Sequence, residues 1–137
     1  MLSRAAVVDL VQTALTRRRR AEAITMSRTI AFLRRPTVHF LLIYDLAPDY
    51  LERRGAFRNE HLKLAWEAQQ RGEIVIAGAL ADPADKAVLL FSGESSDAAE
   101  RFARADPYVV NGLVTQWHVR PWITVVGQDA STPVRPE

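Results

Sequence analysis

Four side chains of the 137-residue sequence have the types and spacing for proton transfer: His61, Asp106, Arg58 and Arg54. An imidazole changes charge near neutral pH, so it takes up and returns protons under physiological conditions. A carboxylate bonded to it fixes the ring tautomer and favours the protonated form. His61 falls in a stripe with Phe57, Leu64, Ala65 and Ala68 at three- and four-residue steps, the spacing of a helix face that packs on a sheet. Arg58 stands one turn before it and Arg54 one turn earlier. A titratable ring on such a face needs a partner, because burying it unsatisfied is costly. That partner is either a backbone carbonyl, which makes the histidine structural, or a carboxylate. Asp106 directly precedes Pro107-Tyr108. It suits the cap of a short helix with proline at its first position, and it equally suits a carboxylate aimed into the cleft between helices and sheet. Spacing alone does not bring His61 and Asp106 together. Tyr44, Tyr108 and Trp122 are candidates for the wall of an aromatic-sized pocket as well as for core packing.

The other polar residues carry less. His39 and His118 fall on expected strands, and no two of the three histidines have the four-residue helical spacing of a metal site. Gly72, Gly78 and Gly93 are isolated and form no phosphate loop. Ser92, Ser95 and Ser96 lack a nucleophile-elbow context, and Ser95 and Ser96 suit a helix cap instead. Absence of cysteine excludes thiolate chemistry, disulfides and cysteine-ligated metal centres. The expected site therefore holds no metal and needs no cofactor.

These residues must be positioned by the elements of residues 38–126. Residues 38–44 form an apolar run rich in β-formers and read as a buried strand. Asp49 is placed to cap a long helix over 50–71, which Gly72 ends. Strands follow at 73–80 and 86–91, close enough for a hairpin across 81–85. A second helix runs to Ala105 and is interrupted at Asp106-Pro107, since proline disfavours helix in the residue before it. A fourth strand over 114–126 has Pro121 at an edge or bend, and residues 127–137 read as a loose tail. The order β-α-β-β-α-β is that of an α+β, ferredoxin-like fold with a four-stranded antiparallel sheet. Two helices cover one sheet face, so the apolar side chains of the other need a partner. Packing of two sheets into a homodimer is the economical solution.

Charge separates the first 37 residues from this domain. They carry eight arginines and two acids, a balance of +6, whereas residues 38–137 carry 10 basic and 14 acidic groups, a balance of −4. The pI of about 9.4 thus belongs to the extension. Residues 2–15 have helical apolar spacing, and Arg17–Arg20 follow where cations suit the helix dipole. The segment reads as a poorly structured extension from an early start codon, with Met26 as the alternative start, which makes the protein cytoplasmic. The alternative is a mitochondrial transit peptide, against which stand Asp9, Glu22 and the scarcity of serine. A secretory signal is disfavoured by the lack of a long apolar core. No aromatic residue stands within or beside the run Arg17–Arg20 and no binding motif follows it, so no nucleic-acid partner is expected. The longest uncharged run, residues 107–119, is 13 residues and contains Asn111, Gln116 and His118, too short and polar to cross a bilayer.

The quoted residues resemble the YCII-related (YciI-like) family. The resemblance rests on the strand from Val38 to Asp45 with Arg54 and Arg58-Asn-Glu-His61-Leu62, on residues 72–80, on Ala98-Ala-Glu-Arg-Phe-Ala-Arg-Ala-Asp106-Pro107-Tyr108, and on Gly112-Leu-Val with Val119-Arg-Pro121-Trp122. It covers about residues 38–126. Gly78-Ala79 stands where the family often has Gly-Pro, and the Asp-Gly-Pro-Phe signature of one branch is absent. The resemblance implies a ferredoxin-like dimeric α/β barrel, usually a homodimer, with an active site on His61 and Asp106 and with Arg58 as the family's arginine. The family is similar to muconolactone isomerases, and one branch includes a dehydrochlorinase of a chlorinated hydroxyhydroquinone. The expectation is a small enzyme in which His61 and Asp106 move a proton beside a carbonyl, with Arg58, Arg54, Tyr108 and Trp122 binding the substrate. The alternative is a non-catalytic binding or accessory dimerisation module.

Overall fold

A computed structural model of the chain describes residues 4–33 and 37–137. The chain divides into two units, residues 1–35 and 36–137. The first holds one helix, α1 (Arg4–Leu33). It is longer than the expected helix over 2–15, running on through Arg17–Arg20. Val7, Val8, Leu10, Val11 and Leu15 are exposed along it, and Arg18 pairs with Glu22 one turn on. Leu2 and residues 34–36 lie outside the described residues.

The second unit has β1 (Val38–Leu46), α2 (Tyr50–Arg53), a 3-10 turn (Arg54–Ala56), α3 (Arg58–Gln70), β2 (Ile74–Ala79), β3 (Lys86–Gly93), α4 (Asp97–Ala105), α5 (Pro107–Val110) and β4 (Val114–Trp122). The sheet is antiparallel in the order β2-β3-β1-β4. This is the ferredoxin-like arrangement expected from the element string. Alternation along β1 buries Phe40, Leu42, Tyr44 and Leu46 in one cluster with Phe91 and Leu89 of β3, Ala68 of α3, Ala99, Phe102 and Ala103 of α4, and Tyr108 of α5. Leu42 has no exposed surface, and burying such a side chain contributes roughly 1.5–3 kcal/mol. Directly opposed residues share a face. His39, Leu41 and Ile43 therefore share the other face with Leu90 and Val88 of β3 and with Trp122, Arg120 and His118 of β4.

The expected helix over 50–71 is broken. Gly55 sits in the 3-10 turn, and Phe57 leaves helical geometry at φ −118°, so α3 starts anew at Arg58. Glycine in a helix interior is disfavoured by its backbone entropy, which places the break here. Asp49 makes no capping bond; its carboxylate lies 3.7 Å from Arg53 instead. Ser96 stands at the α4 cap without a side-chain bond, while the Ser95 hydroxyl accepts from the Asp97 N–H at 3.3 Å. Gly72 ends the helix at φ +78°, the left-handed conformation that glycine adopts without a Cβ penalty. β4 stops at Trp122 rather than 126, where its pairing with β1 ends opposite His39. Beyond it, the Thr132 and Val134 N–H groups bond to the Thr124 and Val125 carbonyls, which ties the tail back on the chain just after β4.

Candidate active site

Asp106 lies where α4 ends and α5 begins, in extended geometry at φ −64°, ψ 121°. Pro107 enforces that break, and Asp106 caps α5 by accepting from the Tyr108 N–H at 3.0 Å. The same carboxylate faces His61 on α3. The His61 Nδ1 lies 2.9 and 3.0 Å from the two carboxylate oxygens. Asp106 thus caps α5 and also bonds His61, without itself lining the cavity. It has no exposed surface, and a third donor, the Tyr44 hydroxyl of β1, reaches Oδ2 at 2.8 Å. No buried side-chain polar atom lacks a partner among the described residues.

The imidazole is fixed on its faces as well. Tyr108 stacks on it with ring centroids 3.9 Å apart and planes 9° from parallel, and Phe102 meets it edge-on at 6.3 Å. With Nδ1 committed to Asp106, Nε2 is the nitrogen left to meet whatever fills the adjoining cavity. That cavity has a volume of about 500 Å³ and lies between α2–α3 and strands β2 and β3. Volumes of this order hold small organic ligands. Arg54, Arg58, Leu62 and Trp66 line it at four-residue steps, and Tyr44, Tyr50, His61 and Tyr108 close the end nearest Asp106.

The electrostatics favour an anion at that end. Arg54 lies over the Tyr50 ring at 5.7 Å, and no carboxylate pairs with Arg54 or Arg58 among the described residues. Burial pushes the Tyr108 phenol up to about 12, helped by Tyr50 and opposed by the nearby charges of Arg58 and Arg54. Burial, followed by the charge and hydrogen bond of Asp106, holds the Tyr44 phenol far above the usual phenol range.

Five of the six expected site residues therefore come together: His61, Asp106, Arg58, Arg54 and Tyr108. Trp122 does not join them. It pairs with His39, which places it on the sheet face opposite Tyr44 and the helices. Of the remaining histidines, His39 is buried against the Thr124 hydroxyl at 2.7 Å and His118 is exposed on β4. No group of three metal-ligating side chains occurs among the described residues. Trp66 and Tyr50 are cavity residues that the sequence reading missed. The step of four from Arg54 through Arg58 and Leu62 was the available signal for Trp66.

A family model described as the YCII-related domain matches residues 38–123. The chain belongs to the YCII-related family. Among solved structures, the chain is similar to the 5-chloro-2-hydroxyhydroquinone dehydrochlorinase of Burkholderia phenoliruptrix, in complex with 2,5-dihydroxybenzoquinone. The two are 21% identical, with a TM-score of 0.54, over 63% of this chain and 94% of the other. That likeness shows the ferredoxin-like fold. A NIPSNAP family protein of Agrobacterium tumefaciens matches over 72% of this chain and 99% of its own length, at 13% identity and a TM-score of 0.47. No curated protein matches the chain. No helix among the described residues is long and apolar enough to cross a membrane.

Proposed function

We propose that this YCII-related domain is a small enzyme that moves a proton beside a carbonyl in a small cyclic or aromatic-derived compound, as in lactone isomerisation or elimination. The observation that carries this reading is the His61 ring, held through Nδ1 by a buried aspartate and set at the wall of a cavity. Nε2 takes a proton from the carbon next to the carbonyl, and the electron pair moves onto the carbonyl oxygen. Arg58, with Arg54 one turn away, stabilises the resulting enolate. The imidazolium, stabilised by Asp106, returns the proton to another carbon in isomerisation; in elimination the enolate electron pair re-forms the carbonyl and expels a leaving group as its anion, and the imidazolium releases the proton to water. Tyr108 holds the ring plane by stacking. No cofactor takes part in these steps. The dehydrochlorinase with the same fold supports the elimination branch.

The sheet face away from the helices supports a homodimer. Leu41, Ile43, Val88 and Leu90 lie on it beside Trp122, which is 45% exposed. Packing of two such faces would cover apolar surface that one domain leaves open.

The test is turnover of 5-chloro-2-hydroxyhydroquinone and of a carboxylate-bearing enol-lactone by the wild-type chain and by His61→Ala. General acid/base catalysis predicts that turnover of the accepted compound falls by about 10²–10⁴-fold in the variant. Equal turnover by the two proteins sinks the proposal.

A further inference from the structure

The donors around Asp106 come from three separate elements. Tyr44 of β1 donates to Oδ2 at 2.8 Å, the Tyr108 N–H of α5 donates to Oδ1 at 3.0 Å, and His61 of α3 reaches both oxygens. Only His61 belongs to the proton-transfer step. An ionised carboxylate accepts and does not donate. The three bonds are therefore mutually consistent only when the shared proton sits on Nδ1. Tyr44 retains its own proton, since burial and the Asp106 charge both oppose phenolate formation.

We infer that Tyr44 is a positioning residue: its hydroxyl pins the Asp106 carboxylate so that His61 is held as the Nδ1–H tautomer with Nε2 bare toward the cavity. The carboxylate's terminal torsion is intrinsically broad. The Tyr108 N–H restrains it through Oδ1, and the Tyr44 hydroxyl restrains it from the other side through Oδ2, so that the plane facing Nδ1 is held by two donors rather than one. Free histidine prefers the opposite tautomer, so this arrangement has something to overcome. The sequence context agrees. Tyr44 ends the otherwise apolar run Phe40-Leu-Leu-Ile-Tyr44 and is 1% exposed, a place where phenylalanine packs equally well and only the hydroxyl distinguishes the two. The inference rests on the reading of His61 as the general base and adds what makes it a base at rest.

The experiment is a two-bond ¹H–¹⁵N correlation on the full chain labelled with ¹⁵N-histidine, at mildly alkaline pH. His61→Ala identifies the signal. In the wild type the Nδ1–H tautomer of His61 is expected to dominate by about ten to one. Tyr44→Phe is expected to lower that ratio by roughly threefold or more. Asp106→Asn should invert it, because its amide can donate to Nδ1. With an accepted substrate, Tyr44→Phe lowers kcat and leaves KM in place. A folded Tyr44→Phe chain with the wild-type ratio overturns the inference. If that variant does not fold, 3-fluorotyrosine at position 44 keeps the shape and strengthens the donor. The His61 Nδ1–H resonance must then move upfield, and a resonance that stays in place also overturns the inference. Undiminished turnover by His61→Ala would remove the acid/base reading. An unchanged ratio in Tyr44→Phe beside an inactive His61→Ala would remove the role of Tyr44 alone.

Discussion

Replacing Asp106 by alanine separates the structural work of this carboxylate from its chemical work. The side chain has no exposed surface and accepts from Tyr44, Tyr108 N–H and His61. Its removal strands the Tyr44 hydroxyl, itself buried, at about 1–3 kcal/mol. It also removes the α5 cap, at about 0.5–2 kcal/mol. His61 lies at the cavity wall and can turn its freed nitrogen to water, so its loss adds little to stability. The expected destabilisation is therefore about 2–5 kcal/mol, a large part of an ordinary domain's stability. Asp106→Asn keeps the shape and one accepting oxygen, and should lose roughly 1–2 kcal/mol. Urea unfolding followed by circular dichroism measures both, and a common m-value confirms that the unfolded states are comparable. An alanine variant destabilised by less than about 1 kcal/mol would mean that the three donors do not depend on this carboxylate, since a buried carboxylate that satisfies them cannot be removed so cheaply.

Three further outcomes follow from the same geometry. Burial pushes the Tyr108 phenol up to about 12 from the ordinary 10.0, and burial and Asp106 raise Tyr44 in the same direction. The stability these neutral phenols contribute is whole below about pH 10 and is lost as the pH rises through about 12; urea midpoints at about pH 9 and pH 11.5 should differ in that sense, and equal midpoints would contradict the raised values. Leu42→Ala, in the middle of β1 with no exposed surface, should lose about 2–5 kcal/mol in the same unfolding assay. A chain beginning at residue 37 should melt like residues 36–137 in the full protein, because residues 36–137 make a compact unit of their own; scanning calorimetry of both chains would show a lowered transition if that unit depends on the first 36 residues.

The element order was legible because strand alternation and helix spacing report on burial directly, and β1 and α4 carry those signals clearly. The pairing of His61 with Asp106 was not legible in the spacing and came only from the family resemblance. The two are 45 residues apart, and their meeting depends on how α3 and α5 pack over β1. Local chemistry exposed one half of the Asp106 role, since Pro107 announces a helix start and so a cap. The long helix over 50–71 failed at Gly55, where a weak helix former outweighed the apolar period around it. Trp122 was misplaced because strand alternation gives the face only once the register is known, and the register set by β1 puts it opposite His39. Tyr44 looked like a core aromatic because its hydroxyl partner comes from 62 residues away.

The proposed enzyme stands or falls on whether His61 Nε2 moves a proton at a carbon beside a carbonyl. Transfer of solvent deuterium to that carbon of a carboxylate-bearing enol-lactone, followed by NMR in D₂O, reads this step even without net turnover. The wild-type chain should exchange the proton at least about a hundredfold faster than His61→Ala, with Arg58 and Arg54 intact in both. Exchange at the same rate in the two proteins would mean that His61 is not the base.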